Sequence, residues 1–524
     1  MSASSKDRQD IICGEHDFSF PAHMNYGIYF VERILKLKDK KALVNGVTGE
    51  ELTFTEIARQ VVSVAASLAD LGVKKGDLVA VVSENRSEVV TATLAALCAG
   101  AVVTFINSAY TAGELLHTAK ITKPKYVFLS AFAHKNHYKT LKDLEFVNKI
   151  FIFGDSPSSE LTKIVQMFTK QFNTGRVKTA LVMYSSGTTG LPKGAKVTHV
   201  NLIAMGQQRD PCSDLSLLSI APWSNTLGFM TMMRALLNDK MVVYLPKFQE
   251  KHYLETIQKY KIQSILVPPP LVVWLSKSEV IDNYDLQSVE VIYSGGAALD
   301  ETVIQQVKKR LPKVRVVLQG YGMTETTGAT TEETVFISRQ GSVGKVAQGN
   351  VIKVVDVESR KILGPGQPGE VCVTGAVVFD GYIGRSKSDD FDEDGFYRTG
   401  DVAYYDKDGF FYIIDRLKEL IKYKGWQVSP AELEGILLEH PAVRDAGVAG
   451  TPDPLAGELP TAFVVMQPGA SLTEKEIIEF VAAKVSPWKQ LRGGVRFISE
   501  IPKNGSGKIL RRILRDMLKT KSKI

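Results

Sequence analysis

Apolar spacing divides the chain into two textures. Through residues 50–415, short Val/Ile-rich runs alternate with helical patterns. The runs Leu78–Val82, Tyr126–Leu129, Ile150–Phe153, Ser264–Val267, Val289–Tyr293 and Val314–Leu318 predict strands. Strands alternating with helices predict α/β layers on largely parallel sheets. Leu299, Val303 and Val307 recur every four residues after one such run, as in a helix packed on a sheet. Residues 89–113 carry no charge. Val89–Cys98 nevertheless predicts a buried helix, Gly100 its end, and Val102–Ile106 a strand before the Asn107-Ser108 loop. A membrane span needs ~20 apolar residues in one helix, so no transmembrane segment is predicted.

The second texture begins near residue 371. VCVTG, GFYRTGD and GFFYIIDR predict short strands between Gly and Asp turns, a small β-barrel-like region. Ser429 then reads as an N-cap with Pro430 in the first helical position. From there β and α runs alternate to the end, over enough chain for a small domain. The expected fold is therefore α/β. A large N-terminal domain of layered α/β subdomains with the barrel-like region spans 1–415, and a small α+β C-terminal domain spans 416–524.

Composition agrees with a globular, multi-domain chain: 524 residues, 44% hydrophobic and 23% charged, which excludes disorder and fibre. Cys13, Cys98, Cys212 and Cys372 are far apart and no CxxC occurs, so zinc spacing is absent and a reducing compartment is expected. The polar N-terminus argues against a cleaved signal peptide. The formal net charge is +7. Residues 503–524 hold eight basic side chains and one acid, which accounts for the whole excess. There Ile509, Leu510, Ile513, Leu514, Met517 and Leu518 share a helical face, which predicts a docked helix with a basic outer side. A local excess without a reading module does not indicate nucleic acid.

Four strings carry chemistry. Tyr184–Gly194, YSSGTTGLPKG, combines Ser185, Ser186, Thr188 and Thr189 with Gly187, Gly190, Gly194 and Lys193. Glycines let backbone N–H groups face an anion, while hydroxyls and an ammonium add donors; this is a phosphate cradle but not GxxxxGK[ST]. Gln319–Gly328, QGYGMTETTG, follows a predicted strand. Gly320 and Gly322 allow a flat ligand to approach, Tyr321 offers a ring, Thr324 can bond a phosphate, and Glu325 can hold a hard cation such as Mg²⁺. YRTGD, ending at Asp401, puts a carboxylate in a tight turn able to take ribose hydroxyls, although a lone TGD is more often a surface turn. KNGSGK places Lys508 behind a Gly/Ser loop, where it could reach a phosphate or simply be solvated.

Together and in this order, the four strings resemble the adenylate-forming superfamily of acyl-CoA synthetases, 4-coumarate–CoA ligases and beetle luciferases. The resemblance runs from about residue 40 to the end, and DRLKELIKYKGWQVSPAELE is most similar to the insect luciferase-like branch. It implies adenylation of a carboxylate by ATP with Mg²⁺, then transfer of the acyl group to coenzyme A. A carboxylic acid near pKa 4.3 is already ionised at pH 7, so the absence of a general-base set is expected. By resemblance, Ser185, Ser186, Gly187, Thr188, Thr189, Gly190 and Lys193 hold the β- and γ-phosphates. Gly295, Gly296, Ala297, Ala298, Gly320, Tyr321 and Gly322 line the adenine site. Thr324 contacts the α-phosphate, Glu325 the metal, and Asp401 the ribose with Arg416, while Ile413 packs on adenosine. Lys508 neutralises charge during adenylation. The C-terminal domain is mobile, with its hinge at Lys418; after rotation Lys422 faces the site, and Lys424, Gly425 and Trp426 meet coenzyme A. Lys508, Lys193, Thr324 and Lys422 form the catalytic set.

The chain also departs from this pattern. Asn225 stands where beetle luciferases carry a His, Leu227 replaces a Phe, and Gly328, followed by Ala329, replaces a Ser. Arg209 matches an Arg at the pocket edge. A wide apolar pocket of Trp223, Leu227, Phe229 and Met230 would suit a medium or long acyl chain, unless these are core residues. Ser522-Lys523-Ile524 resembles the Ser-Lys-Leu peroxisomal address, which implies an import receptor as partner; the alternative is the cytoplasm. The expected function is an ATP-dependent carboxylic acid–CoA ligase, a fatty acyl-CoA synthetase. The rivals are a luciferase acting on an adenylated luciferin and a nonenzymatic nucleotide-binding relative.

Overall fold

The computed structural model describes residues 10–15, 19–154, 179–186, 192–212, 215–296, 299, 301–424, 426–503 and 508–520. Two large sheets and a sandwich of helices form the N-terminal domain. One sheet has six strands, in the order Lys149–Ile152, Tyr126–Leu129, Leu78–Ser83, Val102–Asn107, Thr179–Ser186, Pro192–Thr198. All its pairs are parallel except the last. The other has nine strands, and its centre, from Val316–Met323 through Val291–Ser294, Ser264–Val267, Leu217–Ser219 and Val242–Tyr244 to Lys41–Asn45, is parallel. The main core joins both sheets through the helices between them, with Phe105, Met183, Phe229, Tyr244 and Leu318 all buried. Parallel strands covered on both faces read as continuous apolar runs, which is why they were visible in the sequence.

A third sheet, five antiparallel strands, is built from Ile12–Cys13, Asn350–Val355, Gly369–Gly375, Tyr397–Tyr405 and Phe411–Arg416. The smaller C-terminal domain has its own sheet and core, including Val448, Ala462 and Val464. Its helix Pro430–Leu438 starts as expected, with Ser429 accepting from the Glu432 N–H.

The uncharged stretch is divided. Helix Ser87–Cys98 ends before Gly100, whose φ is +80°, and strand Val102–Asn107 follows. No helix among the described residues is long and apolar enough to cross a membrane.

Two expected stripes shift. Helix Glu301–Arg310 begins after Leu299 and buries Ile304 and Val307, leaving Val303 at its flank. The last helix, Arg511–Thr520, buries Leu514 and Leu518 but leaves Met517 exposed, as is Leu510 before it. Arg511, expected on the basic outer side, instead points inward and ion-pairs with Glu419 and Glu434.

Candidate functional site

Three chain segments converge where strand Val316–Met323 leaves its sheet. That strand turns from parallel pairing with Val291–Ser294 to antiparallel pairing with Gly328–Glu332, and the register shifts between Tyr321 and Gly322. The two glycines sit in close quarters. A Cβ on Gly320 would lie 2.2 Å from the Tyr293 hydroxyl, and one on Gly322 would lie 2.0 Å from the Gly328 carbonyl oxygen. Tyr321, buried, donates its hydroxyl to Asp401 Oδ2 at 2.7 Å. Asp401 pairs in register with Arg416 across the neighbouring strands, and Arg416 Nε lies 3.4 Å from Oδ1. Ile413, three residues before Arg416 and opposite Ala403, lies partly buried and packs against the same core as Tyr321.

Lys508 completes this cluster from the C-terminal domain. Burial, then repulsion from Arg416, lowers its ammonium to a pKa of about 8, against the pull of Glu419 and Asp401. Burial raises the Asp401 carboxyl, while Arg416, Tyr321 and Lys508 hold it down. One carboxylate thus has two cations and a phenol near it, an arrangement suited to a diol and a phosphate placed side by side.

Glu325 lies one turn beyond, buried in the short helix Thr324–Thr326. Its Oε1 accepts the Tyr382 hydroxyl, and its backbone carbonyl accepts the Phe379 N–H at 2.9 Å. The Tyr397 hydroxyl lies 3.3 Å from that of Tyr382. The Lys193 ammonium sits over the Tyr382 ring, 5.2 Å from its centre. Lys193 and Ser185 face each other in the antiparallel pair that flanks the glycine-rich string. Thr324 accepts a hydrogen bond from the Thr226 hydroxyl at 3.0 Å. Tyr397 opens the YRTGD string, whereas Tyr382 lies outside the four strings, because a lone Tyr in a Gly-Tyr loop carries no spacing signal.

The expected acyl pocket is only partly assembled. Trp223 is 1% exposed and, with Phe229 and Met230, belongs to the core between the sheets rather than to a pocket wall. Arg209 stands at the surface, pairing with Glu15 at 3.1 Å. The Asn225 side-chain oxygen caps helix Thr226–Leu237 by accepting the Gly228 N–H at 3.1 Å, so it is occupied by the fold. A Cβ on Gly295 would have Leu227 and Tyr293 as its nearest neighbours, at 3.7 and 3.8 Å, and one on Gly328, φ +135°, Met205 at 3.9 Å. Ala329 is half-buried beside Gly328, and Gly296 has φ +95°.

Lys418, Lys422 and Lys424 are exposed, and Lys424 adopts a left-handed φ of +47°. Trp426, 54% exposed, stacks on Trp488 at 4.6 Å. Gly187, Thr188, Thr189, Gly190, Ala297, Ala298, Gly425 and Ser522-Lys523-Ile524 lie outside the described residues, as does the side chain of Ser186.

Comparison with known proteins identifies the family. The family model described as AMP-binding enzyme matches residues 30–383, and the AMP-binding enzyme C-terminal domain matches residues 432–508. Luciferin 4-monooxygenase of Nipponoluciola cruciata is 39% identical over 94% of this chain and 93% of its own. Peroxisomal OPC-8:0-CoA ligase 1 of Arabidopsis thaliana is 38% identical over 92% and 91%. The crystal structure of ATP-bound MatB from Rhodopseudomonas palustris superposes with a TM-score of 0.83 at 27% identity, covering 95% of this chain and 99% of that one. The chain belongs to the AMP-binding, adenylate-forming enzyme family that contains both luciferases and CoA ligases.

Proposed function

We propose that this protein is an ATP-dependent carboxylic acid–CoA ligase acting on fatty acids. The observation that carries this reading is the cluster of Asp401, Tyr321, Arg416 and Lys508 beside Glu325. Asp401 takes the ribose hydroxyls with Arg416 beside it. Gly320, Tyr321, Gly322, Gly295 and Gly296 leave room for adenine against Ile413. Lys193, Ser185 and their neighbours bind the β- and γ-phosphates, and Thr324 binds the α-phosphate. Lys508 offsets the charge that accumulates as the carboxylate attacks the α-phosphate and pyrophosphate leaves. Charge neutralisation of this kind is worth ~10²–10³ in rate per contact.

A Mg²⁺ ion fits Glu325. A single buried carboxylate plus substrate phosphates is the usual magnesium environment, and Oε2 carries no hydrogen bond among the described residues. Bound there, the ion would supply charge neutralisation to the phosphates.

The second step needs coenzyme A, whose thiol ionises a few per cent unaided at pH 7. Rotation of residues 416–524 about Lys418 would bring Lys422, Lys424, Gly425 and Trp426 to the site in place of Lys508. The acyl chain occupies the space beside Leu227, Gly295 and Gly328. A peroxisomal location for this activity draws support from the Arabidopsis relative, a peroxisomal ligase 38% identical to this chain.

The luciferase reading draws on the 39% identity to a luciferin 4-monooxygenase. One assay separates the two. Incubation with ATP, Mg²⁺, coenzyme A and a panel of fatty acids and luciferin is expected to release pyrophosphate and form thioester with fatty acids, without light. Pyrophosphate with luciferin alone, accompanied by light, would reverse the assignment; no pyrophosphate with any acid would overturn both readings.

A further inference from the structure

Tyr382 belongs to none of the four strings, yet it touches three of them, at Lys193, Glu325 and Tyr397. It sits in the GYIGR loop, where Gly381 has φ +89°. That loop is stitched to strand Pro192–Thr198. Lys196 N–H donates to the Gly381 carbonyl at 3.0 Å, and Ile383 N–H to the Gly194 carbonyl at 2.9 Å. Tyr382 also forms an isolated bridge with Ala195. The loop is thereby held alongside the edge strand that follows the glycine-rich string. Its phenol is 6% exposed, packed edge-on against Phe379 at 4.9 Å. Phe379 in turn fixes the backbone of Glu325 through its N–H.

The two faces of Tyr382 do different things. The ring carries the Lys193 ammonium on one side, and Arg385 also lies over it at 5.7 Å. A cation held over a phenol ring is constrained in direction without losing its N–H donors. The hydroxyl points the other way and donates to Glu325 Oε1. A buried carboxylate with one oxygen fixed by a hydrogen-bond donor presents the second oxygen in one orientation.

We infer that Tyr382 is a positioning residue that couples the phosphate-binding lysine to the magnesium carboxylate, its ring orienting Lys193 and its hydroxyl orienting Glu325 Oε2. This rests on the proposed function and adds a residue to it. The coupling makes a specific demand on substitutions. Tyr382→Phe removes only the hydroxyl and keeps the ring under Lys193, so it should separate the metal-dependent part of nucleotide binding from the rest.

The test is calorimetric titration of ATP, without acid substrate, in Mg²⁺ and in EDTA. Tyr382→Phe is expected to weaken binding roughly tenfold in Mg²⁺, the worth of one hydrogen bond to a charged group, with binding in EDTA unchanged. Glu325→Gln should behave alike, and the double substitution should cost no more than either alone in a double-mutant cycle. Equal loss in Mg²⁺ and EDTA would mean a merely structural tyrosine and overturn the inference, as would additive costs in the cycle or wild-type affinity in Tyr382→Phe. If the unsubstituted protein binds no ATP in either medium, the proposed function fails first.

Discussion

Asp401 and Lys508 place two opposite burial penalties within one cluster. Burial raises the carboxyl of one and lowers the ammonium of the other to about 8. Below that value Lys508 carries its proton and can neutralise phosphate charge; above it the free protein loses the cation. The kcat/KM for ATP should therefore fall about tenfold per pH unit above pH 8, since this parameter reports the free protein. The limb in kcat should lie at higher pH, because a bound triphosphate favours the ammonium. Arginine does not deprotonate in this range, so Lys508→Arg, whatever its absolute rate, should lose the basic limb. A wild-type profile flat across pH 8 would remove Lys508 from the role proposed for it.

Helix Thr226–Leu237 shows what an element contributes to the site. At its start Thr226 bonds Thr324; further along, Arg234 meets Glu332 in a two-pronged buried pair at 2.8 and 3.1 Å. Tyr293 donates to the same carboxylate at 2.9 Å, and that tyrosine backs Gly320. The helix thus braces both strands of the hairpin that carries Gly320, Tyr321 and Glu325. Arg234→Met should lower the unfolding midpoint by the equivalent of ~3–5 kcal/mol, because Glu332 is left buried and unpaired. Arg234→Met/Glu332→Leu should recover most of that loss in the same denaturation experiment; a double variant no better than the single would show that the pair is not the source of the cost.

The same element marks what the sequence could convey. Parallel strands such as Tyr126–Leu129 and Ser264–Val267 matched their apolar runs to the residue, since burial on both faces leaves no polar interruption. Ser429 was legible as a cap because it precedes a proline in a helical register. Asn225 carried the same N-cap signature before an apolar run, but the resemblance drew attention to a ligand role instead. Arg511 stands three and seven residues before Leu514 and Leu518, so helical period alone puts it inward; its charge suggested solvent. Tyr382 was illegible for a different reason: its partners are 57 positions away at Glu325 and far off at Lys193, and no local spacing encodes such contacts.

At the scale of the whole molecule, the question is how Lys508 is held where two domains meet. Its loop is closed by a bridge between Lys503 and Ile509, and Leu510 N–H donates to the Pro502 carbonyl. Three residues on, Arg511 clamps Glu419 at 2.5 Å and Glu434 at 2.6 Å, and the other Glu434 oxygen accepts the Val448 N–H. Asp415, on the far side of Lys418, accepts Ser429 Oγ at 2.7 Å and the Ala431 N–H. Arg511→Gln should loosen the Lys508 segment and lower pyrophosphate release by ~10²-fold, while supplied acyl-AMP is still converted to thioester. Equal loss in both half-reactions would indicate a collapsed C-terminal domain instead.

The stacked pair of Trp426 and Trp488 gives that comparison a spectroscopic handle. The chain has four tryptophans; Trp223 is sealed in the core and Trp274 packs against a second one, which leaves a parallel indole pair on the surface of the C-terminal domain. Indoles 4.6 Å apart share their excitation, and their emission responds to water. Any swing that carried Trp426 against the large domain would quench or blue-shift this pair and leave the other two dark to the event, so the protein already contains an optical gauge of its own rearrangement.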